Sequence, residues 1–117
     1  MFEPRLKSGI WVSALIRRCA AEQVPAMVVA RGHESAGGIF VKVNHLDGNA
    51  EVFSQARKGD GGQIWMCATG PEPVVETDAD AYIARQMKFD PDIWVVEIED
   101  KKGRHFLETE VDNGSGL

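Results

Sequence analysis

An alternating segment that runs into an Asp-Gly pair is the feature that most constrains how this chain can fold. From Ile39 to Leu46 two sets of side chains alternate, and Asp47-Gly48 follows directly. The first set is Ile39, Val41, Val43 and His45, and the second is Phe40, Lys42, Asn44 and Leu46. Such alternation is typical of a strand with one buried face, and Asp-Gly is favoured in the two-residue turn of a β-hairpin. A turn confined to these two residues places Val43 opposite Val52. The sequence therefore predicts an antiparallel hairpin with this register.

Two amphipathic helices are predicted, one before the hairpin and one after it. Ser8 is an N-cap residue type, and the apolar stripe from Trp11 to Cys19 predicts a helix that ends before Pro25. The second helix is predicted to be capped by Thr77 or Asp78 and to end before an Asp-Pro pair. Its predicted inner face comprises Ala79, Tyr82, Ile83, Gln86, Met87 and Phe89.

Four more segments are predicted strands, at residues 27–30, 63–69, 92–99 and 104–108. The first is expected to be short and buried, and the second to be a central strand covered on both faces. A turn at 100–103 would pair the last two. Since each helix has one apolar stripe, we expect a two-layer α+β domain of order α-β-β-β-β-α-β-β. Both helices would cover one face of a mostly antiparallel sheet of about six strands.

The length of 117 residues predicts a single domain, residues 1–117. Its core is expected at about residues 5–108, with a mobile glycine-rich loop at 56–62 and a frayed tail at 109–117. No apolar run approaches the roughly 20 residues needed to cross a bilayer, and the first residues do not resemble a secretory signal. A cytoplasmic domain that does not bind membranes is therefore predicted.

Charge and cysteine content narrow the expected partners. After residue 60 the chain has 12 acidic and 5 basic residues, so this half repels phosphate. We therefore expect a protein partner or self-association, and no binding of nucleic acid. Cys19 and Cys67 lie far apart between apolar neighbours, which predicts two buried free thiols.

Few residues suggest catalysis. The spacings of the histidines match no metal motif, and Lys58–Gly62 precedes a strand rather than the helix of a phosphate-binding loop. We therefore predict no catalytic residues, no metal site and no cofactor. An alternative remains, a small metal-dependent hydrolase that uses His45, His105 and the acidic strand carrying Glu97 and Glu99. The same acidic residues are also typical of a solvated strand.

Aromatic residues suggest a contact surface instead. In the predicted register Phe40 and Phe53 lie on the outer face of the hairpin beside Lys42, and Trp94 is expected to join them. Exposed aromatic residues are typical anchors of protein interfaces. The leading hypothesis is accordingly a non-catalytic interaction or regulatory domain, with a homodimer as one form of it.

Three segments carry a resemblance to a known family: RLKSGIWVSALIRR at 5–18, GGIFVKVNHLDG at 37–48, and DADAYIARQMKFDPDIWVVEIED with GRHFLE between 78 and 108. Together they resemble a small bacterial family, domain of unknown function 1491, over about residues 5–108. FDPDIWVVEIED is the most distinctive part. The resemblance implies a stand-alone bacterial protein, and it implies no activity, cofactor or catalytic residue.

Overall fold

The computed structural model describes residues 6–57, 59, 63–109 and 111–112. These described residues form two helices and seven strands. In chain order these are α1 Ser8–Ala21, β1 Ala26–Ala30, β2 Ile39–Asn44, β3 Asn49–Arg57, β4 Gln63–Cys67, β5 Val74–Val75, α2 Glu76–Phe89, β6 Trp94–Glu99 and β7 Val111–Asp112.

All seven strands belong to one mixed sheet of order β1-β6-β2-β3-β4-β7, and β5 pairs with the start of β3. Four of the strand pairings are antiparallel, whereas β2 pairs with β6 and β4 pairs with β7 in parallel. The α+β class and the mostly antiparallel sheet are therefore confirmed. The observed strand order differs from a simple meander because β6 enters between β1 and β2.

One helix covers each face of this sheet, so the prediction that both helices lie on one face is wrong. Trp94, Val95 and Val96 are successive residues of β6, and all three are buried. Successive side chains of a strand point to opposite faces, so both faces of β6 need an apolar cover. On the α1 face the buried residues are Val12, Leu15, Cys19, Val41, Val43, Trp94, Val96 and Ile98. On the α2 face they are Ala50, Val52, Ala79, Ile83, Ile93 and Val95.

The β2–β3 hairpin has a different register from the predicted one. The backbone N–H of His45 donates to the carbonyl of Asn49 over 3.0 Å, which makes Leu46–Gly48 a three-residue loop. Val43 consequently lies opposite Glu51 instead of Val52. Because the side-chain period of a strand is two residues, this shift of one residue changes which side chains of β3 share a face with those of β2.

Side chains on either side of the turn explain the longer loop. Asn44 Oδ1 accepts a hydrogen bond from the backbone N–H of Leu46 over 2.8 Å, and Asp47 Oδ1 accepts one from Asn49 over 3.0 Å. Leu46 and Gly48 have φ angles of 61° and 92°, in the left-handed region. Asparagine and aspartate form such local turns readily, and here they outweigh the two-residue geometry that Asp-Gly favours.

Several other boundaries and environments differ from the sequence prediction. Strand β1 is an exposed edge strand, and β4 lies beside β7 rather than in the middle of the sheet. Residues 111–112, predicted to be part of a frayed tail, form β7. Strand β3 extends to residue 57, into the predicted mobile loop, while residues 58, 60–62, 110 and 113–117 lie outside the described part of the chain.

The helix ends also differ. Ser8 is the first residue of α1, and its hydroxyl donates to the carbonyl of Gly37 over 2.6 Å instead of capping the helix. Helix α2 begins at Glu76, before the predicted caps. Phe89, predicted on the inner face of α2, is 85% exposed because it is the last helical residue.

The predicted strand at 104–108 is absent among the described residues, and the side chain of Asp100 explains why. Its carboxylate accepts hydrogen bonds from the backbone N–H of Arg104 over 2.9 Å and from Arg104 Nε over 2.8 Å. These bonds hold the chain in a closed turn, and Phe106 then adopts a φ of 56° that does not fit an extended strand. Strand β6 pairs with β1 and β2 instead.

This turn should make the stability of the protein sensitive to acid. The hydrogen bond from the Arg104 side chain is the largest cause that lowers the pKa of Asp100 from 3.8 to about 2. A carboxylate with a lowered pKa stabilises the fold above its ordinary pKa, and that stabilisation is lost as the pH falls from about 4 to 2. Asp100→Asn should lower the free energy of unfolding at pH 7 by about 1–3 kcal/mol.

Urea unfolding between pH 7 and pH 2 would measure this effect. The difference between the wild-type protein and Asp100→Asn should narrow as the pH falls through that window. The control is Asp92→Asn, which alters an exposed aspartate and should leave the unfolding curves nearly unchanged. A constant difference at every pH would contradict the assigned role of the carboxylate.

Candidate functional site

A cavity of about 450 Å³ lies beside the first turn of α1, on the α1 face of the sheet. Its walls are the start of α1, the loop at 35–38 and the nearby ends of β2, β3 and β4. Trp11 of α1 and Trp65 of β4 both line it, and their rings stack with centroids 5.1 Å apart and an interplanar angle of 22°. The cavity is therefore bounded on one side by two indole rings packed against each other, of which Trp11 is the more exposed.

The polar side chains that line this cavity are neutral, with the exception of one lysine. Gln55 lines it, and the Oε1 atom of Gln55 accepts a hydrogen bond from the backbone N–H of Ile39 over 3.3 Å. This bond orients the carboxamide and leaves its Nε2 as a donor. Lys7 also lines the cavity, at its exposed side. Within the described part of the chain, no aspartate or glutamate lines the cavity.

The loop that forms one wall is packed tightly against the segment before β6. His33 N–H donates to the carbonyl of Asp92 over 2.9 Å, and Trp94 N–H donates to the carbonyl of Gly38 over 2.8 Å. A Cβ atom added at Gly37 would lie 2.4 Å from the Asp92 oxygen and 2.8 Å from the His33 nitrogen. Close packing of two backbones, rather than flexibility, therefore requires glycine at position 37.

The adjacent glycines of this loop should respond in opposite ways to alanine. Gly37→Ala should lower the free energy of unfolding by about 1–3 kcal/mol, because the added methyl group overlaps backbone atoms. Gly38→Ala is the matched control, since its Cβ would lie 3.7 Å from the Ile93 side chain in ordinary contact. It should be neutral or stabilising by up to about 1 kcal/mol. Equal losses in urea unfolding would contradict this explanation.

The second surface of interest is the edge formed by β1. Met27, Val28 and Val29 are 39%, 41% and 58% exposed, although the strand pairs with β6 along its other side. The register slips between Val28 and Ala30, so Val29 occupies a β-bulge. An edge strand with exposed apolar side chains and no charged residue is uncommon in soluble proteins.

The three aromatic residues predicted for interaction lie elsewhere. Phe53 and Trp94 are buried on the α1 face, at 4% and 2% exposure. Phe40 is half-buried on the α2 face, where its ring packs edge-on against Tyr82. These side chains therefore do not share one exposed surface, because the observed hairpin register separates Phe40 from Phe53. A binding role for them stays a prediction.

A buried lysine joins the α2 face of the sheet to the first turns of α2. Lys42 is only 4% exposed. Its Nζ atom lies 2.7 Å from a carboxylate oxygen of Glu76 and of Asp80, both in α2, and 3.6 Å from one of Glu97 in β6. Burial alone lowers the pKa of Lys42, but the hydrogen bonds to Asp80 and Glu76 outweigh burial and raise it above its usual value. The lysine therefore remains charged and neutralises part of this acidic group.

Removal of this charge should destabilise the fold. Lys42→Met should lower the free energy of unfolding by about 2–3 kcal/mol, less than the ~3–5 kcal/mol of a fully buried pair. The loss is reduced because Glu76 and Asp80 still reach solvent. Lys101→Met, at an exposed lysine, is the control and should change stability by no more than about 0.5 kcal/mol. Indistinguishable urea midpoints for the two variants would contradict this assignment.

A third group of polar residues lies on the α1 face, at the end where the hairpin turns. His45 Nε2 lies 3.0 Å from Glu51 Oε1, and Cys67 Sγ donates to Glu51 Oε2 over 3.7 Å. Burial raises the pKa of the Cys67 thiol. Burial also lowers the pKa of His105, against the opposing charge of Glu51. The thiol is thus neutral and hydrogen-bonded, which is the opposite of an activated nucleophile.

The residues of the hydrolase alternative are divided between the two faces. His45 and His105 are associated with Glu51 on the α1 face, whereas Glu97 binds Lys42 and Asn44 on the α2 face. They therefore do not form the site that this alternative requires. Within the described residues, no group of three or more histidine, cysteine, aspartate or glutamate side chains could hold a metal ion.

Sequence reasoning missed Glu51 because the predicted register did not place it beside His45. It also missed the cavity, whose residues come from distant segments. Trp11 was predicted on the apolar stripe of the first helix and Trp65 falls in the predicted strand at 63–69, and the sequence held no signal that the two rings would meet at an opening. At β1 the sequence shows a short apolar run that stops at Arg31-Gly32, and this pattern does not distinguish an edge strand from a buried one.

Comparison with known proteins decides the family. The family model of DUF1491, described as a protein of unknown function, matches residues 6–108. The chain belongs to the DUF1491 family. This confirms the resemblance that the sequence segments indicated. No curated protein matches the chain.

Solved structures of DUF1491 proteins share the fold. The chain is 46% identical to a DUF1491 family protein from Caulobacter crescentus CB15 in a crystal structure at 1.87 Å, with a TM-score of 0.84 over 92% of this chain and 100% of that one. An NMR structure of a DUF1491 family protein from the same organism gives 45% identity and a TM-score of 0.81, over 94% and 99% of the two chains.

A third relative is more distant in sequence. The solution structure of protein Atu0922 from A. tumefaciens is 33% identical, with a TM-score of 0.78 over 97% of this chain and 100% of that one. The DUF1491 fold thus extends over almost the whole chain. Neither described helix is long and apolar enough to cross a membrane.

Proposed function

We propose that this DUF1491 protein is a non-catalytic interaction domain that associates with a second copy of itself along β1. The observation that carries the proposal is the exposed apolar edge formed by Met27, Val28 and Val29. An unpaired strand edge offers a row of backbone N–H and C=O groups, and the apolar side chains would be buried when another strand pairs there.

The sequence of β1 does little to protect this edge. Natural edge strands are shielded by charged side chains, by proline, by bulges or by covering elements. The five residues of β1 include no charge and no proline, and only the bulge at Val29 interrupts regular pairing. That bulge leaves Val29 as the most exposed side chain of the strand, at 58%.

Charges at the two ends of β1 favour a second copy in antiparallel orientation. Glu22 precedes the strand and Arg31 follows it. Within one copy Glu22 lies 4.0 Å from Arg104 and Arg31 lies 3.1 Å from Glu34, but the side chains of Glu22 and Arg31 remain 59% and 73% exposed and can contact a second copy. Antiparallel pairing brings the Arg31 end of one copy to the Glu22 end of the other, whereas parallel pairing would bring like charges together. Trp94 helps to position Arg31 for this contact, since the guanidinium of Arg31 lies 5.2 Å from the centroid of the Trp94 ring.

The expected association is weak and reversible. Stable interfaces bury about 800 Å² on each partner, and a five-residue strand supplies only part of that area. A dissociation constant in the range of roughly 10 μM to 1 mM is therefore expected. The proposed location is the cytoplasm, where the buried free thiols of Cys19 and Cys67 would remain reduced.

Sedimentation equilibrium over a range of protein concentrations tests the proposal. The weight-average mass should rise from the monomer value of 12.9 kDa toward twice that value as the concentration increases. Val29→Lys should weaken association by about tenfold or more, because it places two lysines in the interface.

Val75→Lys is the matched control, since Val75 is also a strand valine and is 55% exposed. It should leave the dissociation constant unchanged. A wild-type protein that stays monomeric at millimolar concentration would refute self-association. Equal effects of the two lysine variants would show that the contact does not involve β1.

A further inference from the structure

We propose that the cavity beside α1 binds a small aromatic carboxylate. This proposal is independent of self-association along β1. It rests on the shape of the cavity, on its stacked indole rings and on the charge of its lining.

The volume and the apolar wall suit a flat ring. Small-molecule sites in proteins typically have volumes of about 300–1,000 Å³, and this cavity has about 450 Å³. Trp65 is 4% exposed and is held in place by the core, while the half-buried Trp11 stacks on it. Aromatic rings pack on such surfaces by offset stacking or edge to face.

The polar lining favours a ligand group that accepts hydrogen bonds and carries a negative charge. The Oε1 atom of Gln55 is already bonded to Ile39 N–H, so Nε2 is the group left to contact a ligand. Lys7 adds a cation at the exposed side, and Gln63 and Ser35 can donate or accept. The chain has 18 acidic residues, yet none of the described residues that line the cavity is acidic.

The balance of these groups suits a carboxylate better than a phosphate. Phosphate sites usually combine several cationic or backbone donors around a group that carries up to two charges. Here one lysine and one oriented carboxamide match a single negative charge shared by two oxygens. The ring of the ligand would lie against Trp11, which is stacked on the buried Trp65, while its carboxylate faces Gln55 and Lys7.

Two-dimensional ¹H–¹⁵N NMR with benzoate as the probe tests this directly. The indole N–H signals of Trp11 and Trp65 should shift in a saturable manner as benzoate is added. Trp94 provides an internal reference, because its indole N–H donates to the carbonyl of His33 over 2.8 Å and the residue does not line the cavity. Its signal should shift much less.

Two related probes separate the ring from the charge. Benzamide has the shape of benzoate without the charge, and acetate has the charge without the ring. Benzoate should bind about tenfold more tightly than either. Equal affinity for benzoate and benzamide, or shifts that do not saturate, would overturn the proposal.

Gln55→Glu is the decisive variant. A glutamate can still accept the hydrogen bond from Ile39 N–H, but it replaces the donor with a negative charge. Benzoate affinity should fall by about tenfold or more, while benzamide affinity should change by less than about twofold. Unchanged benzoate affinity in this variant would refute the assigned contact.

Lys7→Gln tests the same charge at an exposed position that does not support the core. It should weaken benzoate binding by about threefold, as expected for a partly solvated cation, without altering the rest of the spectrum. No change in benzoate affinity would contradict the contribution of Lys7. This variant gives a result even if Gln55→Glu does not fold.

Discussion

The parallel pairing of β2 with β6 is the constraint on which the rest of the structure depends. Six successive residue pairs join Ile39–Asn44 to Trp94–Glu99, and both strands carry buried side chains at consecutive positions. The buried side chains of these strands are apolar on the α1 face, whereas on the α2 face Lys42 and Asn44 are buried together with Val95, so the sheet is covered on both faces. This arrangement places α1 on one face and α2 on the other, and it leaves β1 with β6 as its only described neighbour at the edge.

Much of the local structure could be predicted from the sequence, because local structure depends on neighbouring residues. The helical stripes, the hairpin strands and the strand at β6 all lie close to their predicted positions. The predicted register of the hairpin was wrong by one residue, because the side chain of Asn44 accepts a hydrogen bond from the backbone N–H of Leu46 and the turn is one residue longer. This local error changed the predicted contact surface, because it placed Phe40 and Phe53 on one face of the sheet, whereas they lie on opposite faces.

Long-range features were beyond sequence reasoning. Nothing in the alternation of β6 distinguishes pairing with β2 from pairing with a following strand, and the carboxylate of Asp100 decides the outcome by closing the turn. The cavity combines α1, β3 and β4, which only the complete fold brings together. The family could be inferred because its distinctive segments are continuous in sequence, whereas neither candidate surface is marked by a motif.

The connection at 31–38, whose last four residues wall the cavity, begins where β1 ends. Residues 31–38 run directly from the exposed edge strand to the start of β2, and backbone hydrogen bonds tie them to the segment that precedes β6. The edge and the cavity are therefore two ends of one short stretch of chain. Any free-energy coupling transmitted through this stretch must act equally in both directions, so that each event would change the equilibrium of the other by the same factor.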